Sequence, residues 1–378
     1  MERVKQLVSH LTPGSSRGLA NLERKDPDDV VITMAVRSPL CKARKGGFKD
    51  TTSEELLTEM FKQAIARSNI DPKLIGDISV GTVLTPGPAY EARAAALAAG
   101  IPESVPVQVV NRFCSSGLMA ITDIANKIRA GQIEVGLAVG VESMSQHPDA
   151  GWKPHSELLA QHNLAQDCAM PMGWTSENVA GDFNITREVM DEFAARSFQR
   201  AEAAQKAGRF ADEIVPFTVS AQDASGARTP KVISQDDGVR SGTTAAALGR
   251  IRPAFPQWDP ARTTGGNASQ VTDGAAAVLL MRRARADALG LAVIGKHVTT
   301  AVAGVPPRVM GVGPLYAVPM ALELAGLAKD EVDLYEINEA FASQYVYCVQ
   351  QLGLDVEKVN VNGGAIALGH PLDESFSF

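Results

Sequence analysis

The chain has 378 residues, of which 45% are hydrophobic and 21% are charged, a composition typical of globular proteins with two or three domains. Its formal net charge of −7 argues against nucleic acid as a partner, and no apolar run reaches the roughly 18 residues that a membrane span needs. The four cysteines are scattered, without a CxxC pair or histidines at metal-ligand spacing, so neither disulfides nor a metal site are expected, and small-molecule chemistry in a reducing compartment is favoured.

The N-terminal 29 residues are interpreted as a targeting segment and are excluded from the fold prediction. Arg3 and Val4, followed after five residues by His10 and Leu11, resemble the second type of peroxisomal targeting signal, an amphipathic helix that an import receptor binds. A mitochondrial presequence and a merely frayed terminus are the alternatives. The partner that this segment predicts is the peroxisomal import receptor.

From residue 30 onwards, strand and helix patterns alternate. The first predicted elements are strand Val30–Val36, helix Ser53–Ser68, strand Asp77–Val83, helix Tyr90–Ala99, strand Val105–Val110, a helix beginning after Cys114, and strand Val135–Val141. The later ones are helix Arg187–Gly208, strands Ser269–Leu280 and Ile294–Ala303, helix Tyr316–Gly326, strand Val332–Ile337, helix Ala340–Leu352, and strand Lys358–Val361. Alternation of this kind predicts an α/β fold with a mostly parallel sheet.

The C-terminal half of the chain looks like a repeat of the N-terminal half. Ile75–Leu84 compares with Glu331–Phe341, and Val105–Gly117 compares with Lys358–Leu372, because in each pair a strand runs into a polar turn. The two turns are expected to face each other at the joint between the halves, where such sheets bind ligands. The predicted domains are the N-terminal half (30–142 and 269–290), an inserted loop domain (143–268) and the C-terminal half (291–372).

Cys114 is the candidate nucleophile. It lies where a predicted strand gives way to a helix, and the amide hydrogens and positive dipole end of a helix favour the thiolate, the reactive form of cysteine. Ser115, Ser116 and Gly117 are small and leave room for a substrate carbonyl. A buried structural cysteine is the alternative, and the position among small polar residues argues against it.

His370 is the candidate base for this cysteine. It lies in the glycine-rich segment GGAIALGHP, which allows close backbone approach, and the equivalent turn of the first half carries the nucleophile. Asn338 follows a predicted strand and can hold a water or donate to a developing oxyanion, although it can also serve as a helix N-cap. Ser269 belongs to a small polar loop suited to a phosphate or a pantetheine chain, with an ordinary turn as the alternative.

Six segments, in this order, resemble those of the thiolases, specifically the peroxisomal 3-ketoacyl-CoA thiolases: NRFCSSGLMA, GVESMS, MGWTSENVA, NASQVTDGAA, EINEAFA and GGAIALGHPL. Together they span nearly the whole chain. The resemblance implies a thiolase fold, in which two similar βαβαβαββ-type halves form a five-layered α-β-α-β-α core. It also implies a homodimer and an inserted loop domain that binds coenzyme A.

The same resemblance implies a reaction and the residues that perform it. Cys114 is the acyl-accepting nucleophile, His370 is its activator and an oxyanion donor, Asn338 holds the oxyanion-hole water, Ser269 contacts CoA, and Met172 lies beside the acyl pocket. The reaction is a ping-pong thiolysis, in which CoA cleaves a 3-ketoacyl-CoA to acetyl-CoA and a shortened acyl-CoA through acyl-Cys114. CoA is a co-substrate, no cofactor is bound permanently, and peroxisomal fatty-acid β-oxidation is the expected setting.

The chain departs from the family pattern after His370. The family continues with a small-residue helix, a strand and a CxG loop whose cysteine is the second acid/base, whereas this sequence ends in DESFSF. The second half is therefore expected to be incomplete, residues 373–378 to form an aberrant tail, and turnover to be impaired. Two alternative functions remain, namely a non-catalytic isoform that acts as a dimer partner or acyl-CoA binder, and a biosynthetic acetoacetyl-CoA thiolase.

Overall fold

A computed structural model describes residues 18–222 and 225–371 of the chain. In this part the helices are α1 Leu19–Glu23, α2 Ser53–Ser68, α3 Pro88–Ala98, α4 Ser116–Arg129, α5 Glu157–Ala160, α6 Asn163–Asp167, α7 Met172–Asp182, α8 Arg187–Lys206, α9 Ala245–Leu248, α10 Arg283–Leu289, α11 Gly313–Ala325, α12 Ala342–Leu352 and α13 Ala365–Leu368. The strands are β1 Val30–Arg37, β2 Cys41–Lys42, β3 Asp77–Gly81, β4 Val107–Val110, β5 Val135–Ser143, β6 Phe217–Gln222, β7 Arg228–Ile233, β8 Thr272–Arg282 and β9 Gly295–Lys296. Short 3-10 turns occupy Pro72–Leu74, Pro307–Val312, Lys329–Glu331 and Val356–Lys358. The predicted α/β class is confirmed, but the prediction of a mostly parallel sheet is wrong, because β8 pairs antiparallel with β1, β2 and β5, and β9 pairs antiparallel with β1.

One mixed sheet of seven strands organises the N-terminal half. Its order is β4-β3-β5-β8-β1-β9, with β2 paired to the end of β8, while β6 and β7 form a separate hairpin. β3 runs parallel to β4 and β5, whereas β8 is antiparallel to β5 and β1. Because β3, β4 and β5 are parallel, their carboxyl ends meet at one edge of the sheet, and the turn that carries Cys114 leaves β4 at that edge.

Helices cover both faces of this sheet, which explains why β8 is apolar from residue 274 to 281 and buried at nearly every position. α2 and α3 pack on one face through residues such as Met60 and Ala96, and α4 packs on the other through Ala120 and Ile124. The approach of α4 is close, because a Cβ on Gly81 of β3 would lie 2.6 Å from the backbone of the first residue of α4. The start of α4 is thereby fixed against the sheet.

A second apolar cluster lies outside this sheet and is built mainly from helices. α8 and α12 pack together with α7 and α13, and the largest buried ring is that of Tyr345, which stacks on Phe193 with ring centroids 3.8 Å apart. Ile337 and Val359 belong to the same cluster. The extended segments on either side of α12 are therefore packed onto the long helix α8 of the predicted inserted domain.

The strand predicted over Ile294–Ala303 is wrong beyond its first residues. Within this stretch only the two residues of β9 pair with β1. The chain then leaves the sheet, because the guanidinium of Arg129 on α4 donates to the carbonyl oxygens of His297 and Val298 at 2.6 and 2.9 Å. A side chain satisfies these carbonyls in place of a neighbouring strand.

The strands predicted over Val332–Ile337 and Lys358–Val361 are also wrong as regular strands. Within the described residues the two segments meet at a single parallel bridge between Tyr335 and Val359. The physical reason is Asn360, whose φ of 48° places its backbone in the left-handed region and ends the ladder after one rung. The pair still runs in the same parallel sense as β3 and β4, its counterparts in the predicted repeat.

The predictions for the two terminal segments and for the domain boundaries are not tested by the described residues. Arg3, Val4, His10 and Leu11 of the targeting motif and the 373–378 tail fall outside the described residues, and the domain boundaries stay predictions. In the described part of the chain, no helix combines the length and apolar character required to cross a bilayer. The same residues contain no group of three or more His, Cys, Asp or Glu side chains placed to hold a metal ion.

Candidate active site

A cavity of about 810 Å³ opens beside the carboxyl end of β4. Cys114, Asn338 and His370 all line it, although they come from three segments that are far apart in the sequence. Its apolar wall is formed by Phe113, Leu118, Met119, Ala301, Val302, Met310, Pro314, Ala317 and Val318. A concave, mostly apolar site with a few convergent polar groups is the usual form of a small-molecule site.

Cys114 lies on a tight turn between the end of β4 and the first residue of α4. The preceding residue, Phe113, has a φ of 49°, in the left-handed region that residues with side chains rarely adopt. The hydroxyl of Ser116 accepts a hydrogen bond from the N–H of Arg112 at 2.8 Å and donates to the carbonyl of Phe113 at 2.7 Å. This turn holds the partly exposed sulfur at the cavity wall, next to a helix N-terminus whose dipole favours an anion.

His370 is buried and neutral at neutral pH, because desolvation lowers its pKa to about 4. Its backbone N–H donates to the carbonyl of Gln270 at 2.9 Å. The side chain of Gln270 in turn donates to the carbonyls of Ile366 and Ala367, at the end of α13, at 3.1 and 2.8 Å. The backbone at His370 is thus held in place, and the neutral imidazole has one nitrogen lone pair that can accept a proton, as a base for a thiol requires.

Asn338 is in contact with this imidazole. Its Nδ2 lies 3.2 Å from Nε2 of His370, and since an amide nitrogen can only donate, Nε2 accepts. The next residue, Glu339, is a buried carboxylate whose pKa burial raises. It accepts hydrogen bonds from Ser197 Oγ at 2.6 Å and from the N–H of Ile366 at 3.2 Å. The loop that carries Asn338 is therefore anchored to α8 and to the segment that carries His370.

Two other residues that the sequence singles out do not line this cavity. Ser269 is partly exposed in the loop before β8, and Met172 begins α7 with 37% of its surface exposed. Their contacts with CoA and with the acyl chain stay predictions. The alternative of Asn338 as a helix N-cap is wrong, since α12 begins only at Ala342.

The sequence analysis missed Glu336, which also lines the cavity. Partial burial, together with the nearby carboxylates of Glu339 and Glu213, raises its pKa to about 7. The available signal was its position two residues before Asn338, which puts both side chains on one side of an extended segment. Among the cysteines of the described chain, Cys114 alone belongs to this lining.

Two protein-family models match most of the chain. The model of the thiolase N-terminal domain matches residues 30–284, and the model of the thiolase C-terminal domain matches residues 291–377. The chain belongs to the thiolase family. The thiolase fold that the sequence predicts is confirmed, since the chain superposes on solved thiolases over most of its length.

Three relatives illustrate how similar this chain is to known thiolases in sequence and structure. It is 50% identical over 374 residues to a peroxisomal 3-ketoacyl-CoA thiolase of Yarrowia lipolytica, and the matched region covers 98% of this chain and 90% of that protein. The dimeric peroxisomal thiolase of Saccharomyces cerevisiae superposes with a TM-score of 0.88 at 47% identity, over 94% of this chain and 90% of that one. An acetyl-CoA acetyltransferase of Bacillus anthracis gives a TM-score of 0.82 at 38% identity, over 91% and 88%.

Burial of His370 is expected to make the stability of this thiolase sensitive to acid. Its folded-state pKa of about 4 lies below the ordinary 6.5, so the unfolded chain binds the proton more tightly and stability falls as the pH drops from 6.5 towards 4. At pH 4 the burial of His370 lowers the free energy of unfolding by about 3 kcal/mol. Urea denaturation of the wild type and of His370→Asn at pH 7 and pH 4 measures the effect. Between pH 7 and pH 4 the variant should lose less free energy of unfolding than the wild type. Equal losses would contradict a buried, neutral imidazole.

Proposed function

We propose that this chain is a 3-ketoacyl-CoA thiolase, an acetyl-CoA acyltransferase that uses CoA to cleave a 3-ketoacyl-CoA into acetyl-CoA and a shortened acyl-CoA. The observation that carries the proposal is the placement of Cys114, His370 and Asn338 on one cavity. A thiol, a neutral base and an amide are the groups that an acyl transfer through a cysteine needs. Relatives that are named for this activity share 50% and 49% identity with the chain.

The first half-reaction forms an acyl-enzyme. His370 takes the proton of the Cys114 thiol, and the thiolate attacks the 3-keto carbon of the substrate. The ketone oxygen becomes an oxyanion, which the imidazolium and a water held by Asn338 stabilise. Cleavage of the bond between C2 and C3 then releases the enolate of acetyl-CoA. The enolate must gain a proton at carbon, and the imidazolium in the same cavity can return the one that it took.

The second half-reaction removes the acyl group. The thiol of a second CoA molecule gives its proton to the again neutral His370 and attacks the carbonyl of acyl-Cys114. The tetrahedral intermediate is stabilised in the same way, and its collapse releases the shortened acyl-CoA and the Cys114 thiol. CoA is thus a co-substrate and not a resident cofactor. Ser269 would contact CoA and Met172 would lie beside the acyl chain, as the family resemblance implies.

The proposed oligomeric state and cellular location are those of the relatives. A homodimer is supported by the dimeric state given for the yeast peroxisomal thiolase, with which the chain shares 47% identity. A peroxisomal location is supported by the Yarrowia and rat relatives, which are both peroxisomal thiolases. Import through a receptor that binds Arg3, Val4, His10 and Leu11 is part of the same proposal.

A single-turnover assay tests the proposed function. Mixed with a 3-ketoacyl-CoA in the absence of CoA, the protein is expected to release about one acetyl-CoA per active site and to retain the acyl group on Cys114. Addition of CoA should then release the acyl group and start steady turnover. Liquid chromatography of the CoA esters and mass spectrometry of the Cys114 peptide measure both events.

The chain length of the substrate separates the alternatives. The proposal expects turnover on long as well as short 3-ketoacyl-CoAs. Cleavage of acetoacetyl-CoA alone would favour a biosynthetic thiolase, and retention of acyl-CoA by a folded dimer without acetyl-CoA release would favour a non-catalytic binder. Either result would overturn the proposed function.

A further inference from the structure

The buried side chain of Asn360 forms hydrogen bonds with the residues before and after Asn338. Ahead of Asn338, a backbone bridge joins Tyr335 to Val359, but the left-handed backbone of Asn360 prevents a second rung. The side chain of Asn360 takes the place of that rung. Its Oδ1 accepts a hydrogen bond from the N–H of Ile337, and its Nδ2 donates to the carbonyl of Ile337, both at 2.8 Å.

The same amide also binds the residue after Asn338. Nδ2 of Asn360 donates to Oε1 of Glu339 at 2.9 Å, so its carbonyl and its amino group are both engaged, and the residue is only 2% exposed. Asn338 therefore lies between two residues that one side chain holds. The residues before and after Asn338 are thereby fixed, and the amide of Asn338 lies 3.2 Å from His370 Nε2.

We propose that Asn360 is a positioning residue of the thiolase site, which fixes the Asn338 amide against His370 by clamping Ile337 and Glu339. The inference rests on the proposed function, since it is in acyl transfer that the position of Asn338 matters. Asparagine suits the role, because its amide supplies a donor and an acceptor together and tolerates a left-handed φ. An aspartate would lose both donated bonds and would set a carboxylate against Glu339.

Replacing Asn360 with glycine tests the clamp, since glycine accepts the left-handed backbone and removes only the amide. A displacement of reacting groups by about 1 Å lowers rates by about 100-fold, so kcat should fall by about this factor while KM for the 3-ketoacyl-CoA changes little. In an Asn338→Ala background, the glycine substitution should lower kcat by no more than about twofold further, because the residue that it positions is already gone.

Ser197→Ala is the matched control. It removes the hydrogen bond to Glu339 and the one that Ser197 accepts from the N–H of Gly364, and it leaves both bonds of Asn360 to Ile337 in place. It should therefore lower stability and change kcat by less than about threefold. An Asn360→Gly variant with wild-type kcat, or a double variant in which the two losses multiply in full, would overturn the inference. Should the glycine variant fail to fold, Asn360→Asp keeps the shape of the side chain, and the same cycle and the same expectations apply to it.

A second readout does not depend on turnover. In nitrogen NMR of histidine-labelled protein, His370→Asn identifies the His370 signals among those of the six histidines. Asn360→Gly should move the Nε2 resonance of His370 in the same direction as Asn338→Ala, and Ser197→Ala should leave it in place. An unmoved resonance in Asn360→Gly would refute the clamp even if the wild type showed no thiolysis, whereas a moved resonance without wild-type turnover would refute only the proposed function.

Discussion

Replacing Cys114 with alanine is expected to lower thiolysis by at least about 10,000-fold, because removal of a covalent nucleophile leaves only binding and oxyanion stabilisation. The cavity offers no substitute within the described residues, since no other cysteine there lines it. The acyl-enzyme should vanish together with turnover, while binding of the substrate persists. Steady-state rates, acyl labelling and calorimetric titration with a substrate analogue measure the three quantities.

Cys168→Ala provides the control for this substitution. Cys168 is exposed and lies away from the cavity, so its removal should leave both rate and labelling unchanged. The sulfur-to-oxygen exchange Cys114→Ser keeps the shape of the site and should also prevent labelling, because a serine hydroxyl lacks the ready ionisation of a thiol. Undiminished acyl uptake by Cys114→Ser would exclude Cys114 as the acyl acceptor.

The first half of the fold could be predicted well because local signals and burial agree there. Thr52 and Glu55 form a capping box that starts α2 at Ser53, and the apolar spacing carries the helix to Ser68, as predicted. The continuous apolar run of β8 is typical of a strand covered on both faces, and it lies in the middle of the sheet. In these elements propensity, pattern and packing favour the same structure.

The second half could not be predicted in the same way, because a strand depends on what lies beside it. The pattern of Val332–Ile337 is that of a strand, yet one left-handed residue, Asn360, replaces a rung of the ladder with its side chain. Arg129 ends β9 in a comparable manner by binding two carbonyls. A distant side chain that satisfies the backbone has no signature in the segment that it ends.

The residues of the candidate site also divide into those that the sequence could predict and those that it could not. Cys114 and His370 could be proposed from their turns, because a cysteine at a helix start and a glycine-flanked histidine each carry a local chemical reason. Gln270 and Asn360 could not, since their work is done through hydrogen bonds to backbone groups far away in the sequence. Residues that we propose to act on substrate could be predicted from the sequence, whereas residues that position them could be identified only from the fold.

Replacing His370 with asparagine is expected to lower kcat by about 100- to 10,000-fold, the usual cost of losing a general acid or base. The imidazole lines the cavity together with Cys114, and burial lowers its pKa to about 4, so the ring is unprotonated at neutral pH. Asparagine is polar but cannot accept the thiol proton. Rapid-quench measurement of acetyl-CoA release in a single turnover should show that acylation itself is slowed.

His297→Asn is the matched control, because the pKa of His297 is also lowered to about 4, by desolvation and by Arg129, but the residue lies outside the cavity lining. Its imidazole contacts Arg129 and Thr300, so the substitution should lower stability and leave the acylation rate within about twofold. Raising the pH should partly restore acylation in His370→Asn, since hydroxide can ionise the thiol when the base is gone, whereas the control should gain nothing. If both variants acylate at the wild-type rate, the imidazole of His370 does not activate Cys114, and the base must be sought in Glu336, a lining carboxylate whose pKa is raised to about 7.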